Sequence, residues 1–225
     1  MTTPPRAQPG GEGGHRKENL LAWNLEYKEK GRIWRGAAPK LPDLPSGSRV
    51  LELGCGNGKT LEAMMKRPWR IAALDLSLLA VRLGREVAAA LKDEPSKADL
   101  LAADATVLPF REDVFDAVFA FHVIGHLRLD ERSRAAREAS RVLKADGHFF
   151  FLEFGVEDMR AGKGVEVEPS TFRRGGGVLT HYFSEGEVLE LFEMLRPASI
   201  RTDKRSTRIR GQDHVRAEVG AEFVK

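Results

Sequence analysis

An apolar run that breaks into alternating glycines constrains this chain more than anything else in it. Residues 50–60 read Val50-Leu51-Glu52-Leu53-Gly54-Cys55-Gly56-Asn57-Gly58-Lys59-Thr60. The pattern predicts a buried parallel strand, a tight turn and the start of a helix. Glycine at alternate positions lets the backbone approach a ligand where a Cβ would block it. In open α/β sheets such ligands sit at the carboxyl ends of the strands.

Strand and helix patterns alternate from residue 48 onward. Strands are expected at 49–53, 70–74, 98–102, 115–121 and 148–154, and helices at 59–66, 78–91 and 130–143. Ser77 stands where a helix N-cap is needed. This order predicts an α/β fold with a parallel sheet covered on both faces. Residues 155–180 are polar and glycine-rich, and 155–183 reads as a substrate-side loop or insertion. A capping box, Ser184 with Glu187, opens a helix over 184–195. Two β-like runs, 199–209 and 215–224, predict a closing antiparallel hairpin.

Residues 1–17 are expected to be disordered. Residues 18–47 are expected to form an N-terminal helix, about 18–33, with a Pro-broken tail that serves as a lid. Residues 48–225 make the main domain. No run of about 18 apolar residues suggests a membrane span. The single cysteine, Cys55, excludes an intramolecular disulfide and a cysteine-cluster zinc site, no metal is expected, and the cytoplasm is the natural compartment. A net charge of +3 permits an anionic partner without demanding one.

Two phosphate-binding readings of the glycine turn fail on spacing. The dinucleotide fingerprint G-x-G-x-x-G would need glycine where Lys59 stands. The P-loop would need glycine where Leu53 stands. What the segment resembles is motif I of the class I S-adenosylmethionine-dependent methyltransferases, E/D-x-G-x-G-x-G. The resemblance continues in register through Asp75, Asp104-Ala105, Phe115-Asp116-Ala117-Val118-Phe119-Ala120-Phe121 and Arg141-Val142-Leu143-Lys144-Ala145-Asp146-Gly147. In the last run the family's Pro-Gly is replaced by Ala145-Asp146. The match covers about 48–154.

The resemblance implies a doubly wound, seven-stranded, mostly parallel sheet with an antiparallel last strand. It implies S-adenosyl-L-methionine as cofactor and methyl transfer as the activity. Glu52 and the Phe121 carbonyl would then hold the methionine ammonium. Gly54, Gly56 and Gly58 would let the chain lie against the ligand. Asp75, with Leu76 beside it, would accept the ribose hydroxyls, and Asp104 and Ala105 would meet the adenine. Trp34 would cover the cofactor, and Trp23 and Tyr27 would join it in the lid.

The acceptor side carries fewer signals. Phe121-His122-Val123-Ile124 is not the D/N-P-P-Y/F/W run of DNA amino methylation. His122 and His126 flank the exit of the fourth strand, and His181-Tyr182-Phe183 ends the glycine-rich segment. His122 and His181 are the catalytic candidates, and His126, Tyr182 and Phe183 are candidate substrate contacts. A small-molecule acceptor is favoured. The cations Arg196, Arg201, Lys204, Arg205, Arg208, Arg210 and Arg216, with Arg173 and Arg174, leave RNA open as a partner. A non-catalytic S-adenosylmethionine-binding partner subunit is the rival from another class. The oligomeric state stays open.

Overall fold

A computed structural model describes residues 12–31 and 38–225. The first helix, α1, spans Glu12–Lys30. It begins inside the segment expected to be disordered and ends three residues earlier than expected. Gly31, at φ +60°, ends it by donating its N–H to the Tyr27 carbonyl at 2.9 Å.

The alternation follows as read. The elements are β1 (Arg49–Leu53), α2 (Lys59–Met65), β2 (Arg70–Asp75), α3 (Leu78–Ala90), β3 (Lys97–Ala102), β4 (Phe115–Phe121), α4 (Leu129–Val142) and β5 (Leu143–Phe154). Ser77 caps α3, its side chain accepting from the Ala80 N–H. After β5 come β6 (Val165–Glu168), β7 (Thr171–Arg173), β8 (Leu179–His181), α5 (Glu185–Leu191), β9 (Arg196–Ile209) and β10 (Gln212–Val224).

Seven strands form one sheet in the order β3-β2-β1-β4-β5-β10-β9. Strand β10 runs antiparallel to both β5 and β9, and the remaining pairs are parallel. Alternate residues of the central strands feed two cores. Leu51, Leu53, Val118 and Ala120 pack with Ala135 and Ala139 of α4 and Val188 of α5. Val50, Ala117 and Phe119 pack with Leu61 and Met64 of α2 and Val81 of α3. Phe119 stacks between Trp69 and Phe150 with centroid distances of 6.0 and 4.9 Å. Both faces of β1 and β4 are therefore dry, which fixes their register by burial.

Two departures matter for the site. The segment expected as a loop or insertion folds into its own antiparallel sheet, β6-β7-β8. Its polar composition hid three short strands, of which β8 is buried throughout although two of its three residues are polar. The closing hairpin is longer than its apolar residues suggested, because its strands meet across a tight turn at Arg210-Gly211, both at positive φ. Strand β10 pairs with β5 only from Glu218 onward, so the hairpin overhangs the carboxyl end of the sheet. Among the described residues, no helix is long and apolar enough to cross a membrane.

Candidate functional site

The chain leaves β1 toward β2 and β3 and later returns to β4 on the other side of β1. A crevice opens at the carboxyl ends of strands that part in this way. The glycine turn sits there. Gly54 has φ +68°, and a Cβ on it would lie 2.6 Å from Val123 Cγ2. Gly56, at φ +52°, donates its N–H to Asp75 Oδ2 at 2.9 Å. Gly58, at φ +81°, is the N-cap of α2, and a Cβ there would press on Val87 of α3 at 3.2 Å. The three glycines thus do three different jobs.

Two cavities meet at this turn, and Gly54 and His122 line both. The larger, about 580 Å³, holds Asp75, Leu76, Asp104, Ala105 and Val123, with α1 supplying Asn19, Trp23 and Tyr27 on another side. The smaller, about 420 Å³, is bounded by Glu52, Cys55, Lys59 and Phe121. Helix α1 is pinned in place by polar contacts. Asn19 Nδ2 donates to the His126 carbonyl at 3.1 Å, and Asn24 Oδ1 accepts from the Ser77 hydroxyl at 2.6 Å. Arg16 pairs with Asp104 Oδ2 at 2.8 Å.

The carboxylates of this crevice differ in their access to water, Glu52 being buried and Asp75 and Asp104 partly so. Glu52 is 4% exposed, and its Oε2 has no hydrogen-bond partner. Burial, reinforced by the Asp75 charge, pushes its carboxyl up to about 8. Burial pushes Asp75 up to about 6, against the backbone N–H groups of Ser77 and Gly56. Asp104 Oδ1 accepts from the N–H and hydroxyl of Thr106. Burial, followed by the Glu52 and Asp75 charges, pushes the Cys55 thiol well up, so it stays protonated and is no nucleophile. A buried acceptor without a partner is costly unless a ligand donor completes it. The arrangement therefore suits a donor-rich cation rather than a phosphate.

Histidine geometry divides the acceptor-side candidates. His122 follows β4 directly, in a left-handed conformation at φ +54°. Its ring stacks on Phe154 at 4.4 Å. His126 lies in the 3-10 turn Ile124–His126, with Nδ1 2.6 Å from the Leu179 carbonyl. That contact makes Nδ1 the donor. Burial pushes its imidazole down to about 4, so it is neutral, and Nε2 has no partner.

A protein-family model described as a methyltransferase domain matches residues 51–151. Over 123 residues the chain is 33% identical to demethylmenaquinone methyltransferase of Thermobifida fusca (strain YX), covering 55% of this chain and 50% of that protein. It is also 33% identical over 129 residues to tRNA (carboxymethyluridine(34)-5-O)-methyltransferase of Arabidopsis thaliana, covering 55% of this chain and 28% of that one. The crystal structure of Burkholderia thailandensis 1,6-didemethyltoxoflavin-N1-methyltransferase superimposes with a TM-score of 0.66 at 18% identity. That match covers 100% of this chain and 93% of the other, whose structure holds 1,6-didemethyltoxoflavin and S-adenosylhomocysteine.

The chain has the class I methyltransferase fold. It spans half or less of the length of these two curated relatives.

Within this methyltransferase fold the expected cofactor residues fall into groups. Gly54, Asp75, Leu76, Asp104 and Ala105 line the larger cavity, and Glu52, Gly54 and Phe121 line the smaller. Gly56 and Gly58 line neither, because one fastens the turn to Asp75 and the other seats α2 on α3. Trp34 lies outside the described residues, whereas Trp23 and Tyr27 line the larger cavity.

Of the acceptor-side candidates, His122 and His126 line the larger cavity and the others do not. His181 lines neither cavity. It is 2% exposed, with Nδ1 2.8 Å from the Thr171 hydroxyl and Nε2 2.7 Å from Glu187 Oε1. Both ring nitrogens are engaged in tying β8 to β7 and α5, so His181 is structural. Tyr182 is buried between Phe154 and Phe172, and Phe183 packs in the main core against Phe151. Neither reaches the cavities. The residues that spacing missed are Asn19, Val123 and Leu127 in the larger cavity, and Glu153 and Glu218 beside His122. They come from α1, the turn after β4, β5 and β10, and no local pattern links these four places.

On the closing hairpin, Arg201 pairs with Asp203, Lys204 with Glu157, Arg208 with Asp213 and Arg216 with Asp158. Arg173 of β7 pairs with Glu18 of α1. Much of the cationic face is thus locally neutralised.

Proposed function

We propose that this chain transfers a methyl group from S-adenosylmethionine to a small-molecule acceptor. The observation that carries the reading is Glu52. A buried carboxylate with an oxygen lacking any partner, at the end of a central strand, suits the ligand's ammonium group. Asp75 and Asp104, in the adjoining cavity, suit ribose hydroxyls and an adenine amino group. The fold family and the methyltransferase names of the matched relatives support the same cofactor. That ligand supplies an electrophilic methyl group on a sulfonium. The residues of this chain supply alignment, exclusion of water and acceptors for the ligand's donors.

The demethylmenaquinone methyltransferase among the matched relatives favours a small acceptor. RNA is the second reading, and the hairpin cations that overhang the carboxyl edge of the sheet favour it. Their local ion pairs weigh against it. The cytoplasm is the proposed compartment, since the chain has one cysteine and no disulfide to protect.

Calorimetry with S-adenosylmethionine tests the cofactor. Absence of binding at millimolar ligand rejects methyl transfer and leaves a fold relative with another role. Tritiated-methyl transfer into lysate, divided into small-molecule, RNA and protein fractions, tests the acceptor. Label found only in RNA replaces the small-molecule reading by the second one.

A further inference from the structure

His122 stands between the cavities and a cluster of carboxylates that no local sequence pattern brings together. Its Nδ1 lies 3.8 Å from Glu153 Oε2, and its Nε2 lies 3.5 Å from Glu218 Oε1. The Glu153 side chain is 1% exposed. Its Oε1 accepts the Gly125 N–H at 2.9 Å, and the Val123 and Ile124 amides add to that cradle. A Cβ at Gly125 would fall 2.8 Å from Glu153 Oε2, so the loop is built close around this one carboxylate. Glu218 is 24% exposed and lies on the solvent side of the ring. The strained φ of His122 is maintained by this packing together with the N–H to the Leu152 carbonyl at 2.8 Å and the Phe154 stack. The other titratable and charged groups that face the cluster are the neutral His126, Arg132 on the Glu153 side, Arg160, and Arg205 and Arg216 on the Glu218 side.

We propose that Glu153 and Glu218 are positioning carboxylates for His122, and that His122 takes the proton from an acceptor whose O–H or ring N–H is methylated. This rests on methyl transfer at the adjoining cavity. In the step, a lone pair of the acceptor oxygen or nitrogen forms the new bond to the methyl carbon. The carbon–sulfur bond breaks with its electron pair returning to sulfur, which leaves as a neutral thioether. The acceptor proton passes to Nε2 of the neutral His122 ring, whose own proton is then on Nδ1 facing Glu153, and the contact of Nε2 with Glu218 becomes a donated hydrogen bond in the imidazolium that results. Glu153, fixed on the Nδ1 side, stabilises the imidazolium, and Glu218 relays the proton to water. A buried carboxylate held by backbone amides orients a histidine at no entropic cost during the reaction. An acceptor that carries no such proton would make no use of the arrangement.

Two measurements test this, the first without cofactor. Carboxyl titrations of Glu153 and Glu218 are followed by NMR of the full chain labelled with ¹³C-glutamate. Glu153→Gln and Glu218→Gln each remove one signal and so assign it. Burial holds Glu153 up to about 7 against the His122 charge, and a hydrogen bond to His122 lowers Glu218. His122→Asn, a residue that tolerates the left-handed conformation, should therefore move both titrations upward. If neither moves, the cluster is not coupled and the proposal fails, whatever the cofactor result.

The second measurement uses the acceptor fraction that takes up tritium. Glu153→Gln should lower kcat about 100-fold and change KM much less. The labelled methyl should be on oxygen or ring nitrogen. A product methylated on carbon or sulfur overturns the proton-transfer role while leaving methyl transfer standing. Absence of cofactor binding by the wild type overturns both.

Discussion

Asp75 Oδ2 accepts the Gly56 N–H at 2.9 Å, which fastens the glycine turn after one strand to the last residue of its neighbour. The other carboxylate oxygen takes the Ser77 N–H at 2.8 Å, at the N-cap of α3. One side chain therefore sets both the shape of the turn and the entry of the next helix. It also retains lone pairs for a ligand. Asp75→Ala should weaken S-adenosylmethionine binding by about 1–3 kcal/mol, measured by calorimetry. Binding at wild-type strength would remove Asp75 from the ligand site.

Glu52 makes binding depend on pH. An ammonium ligand needs the ionised carboxylate, and burial holds this one protonated up to about pH 8. Affinity for S-adenosylmethionine should therefore tighten as pH rises toward 8, and Glu52→Gln should abolish much of that dependence. The same shift acts on stability. A carboxyl raised in the fold contributes stability below its ordinary value of 4.5 that is lost as pH rises to about 8. Melting curves of Glu52→Gln should consequently fall less than those of the wild type across that window.

Gly54 tests the close approach of the turn to the Val123 side chain. Gly54→Ala combines a left-handed φ with a contact 2.6 Å from Val123 Cγ2. About 2 kcal/mol of destabilisation is expected by urea unfolding. The double variant with Val123→Ala removes the Cγ2 contact but keeps the Val123 Cβ at 2.7 Å and the backbone strain, so it should recover only part of the loss.

Asp158 is a structural counterpart of opposite sign. Its fully buried carboxylate pairs with Arg160 at 2.7 Å and Arg216 at 3.0 Å and accepts the Ala217 N–H at 3.2 Å. Burial would raise its carboxyl, but the Arg160 and Arg216 hydrogen bonds outweigh this and hold it below the usual range. Its contribution is present above the ordinary value of 3.8 and is lost as pH falls through the lowered one. Asp158→Ala should cost about 2–4 kcal/mol at pH 7, because it strands two cations and a buried amide. Asp158→Asn should cost less, since it keeps an acceptor for the Ala217 N–H. Chemical denaturation at pH 7 and pH 3 separates the two, and the Asp158→Ala deficit should shrink at the lower pH.

Local chemistry, read along the chain, was enough to bring Glu52, Gly54, Asp75, Asp104 and Phe121 to one crevice. Val50 to Leu53 lead into glycines that a single turn must use, and Asp75, Asp104 and Phe121 each end or follow a strand of the same sheet. Parallel strands align their ends, so residues far apart in sequence meet in one crevice by topology alone. Strand period and turn chemistry carry that information, and both are written locally.

The acceptor side was decided by tertiary structure. His122, His126 and His181 are equivalent as letters. Packing made one a partner of two carboxylates, one a neutral donor to Leu179 and one a buried tie between strands. Glu153 and Glu218 reach His122 only because β10 pairs with β5 in a register where Phe154 lies opposite Glu218. That register is set by burial of Phe149, Phe151 and Phe223. No spacing along the chain encodes it, because the cost of burying a carboxylate and the gain from pairing it exist only once the sheet has closed.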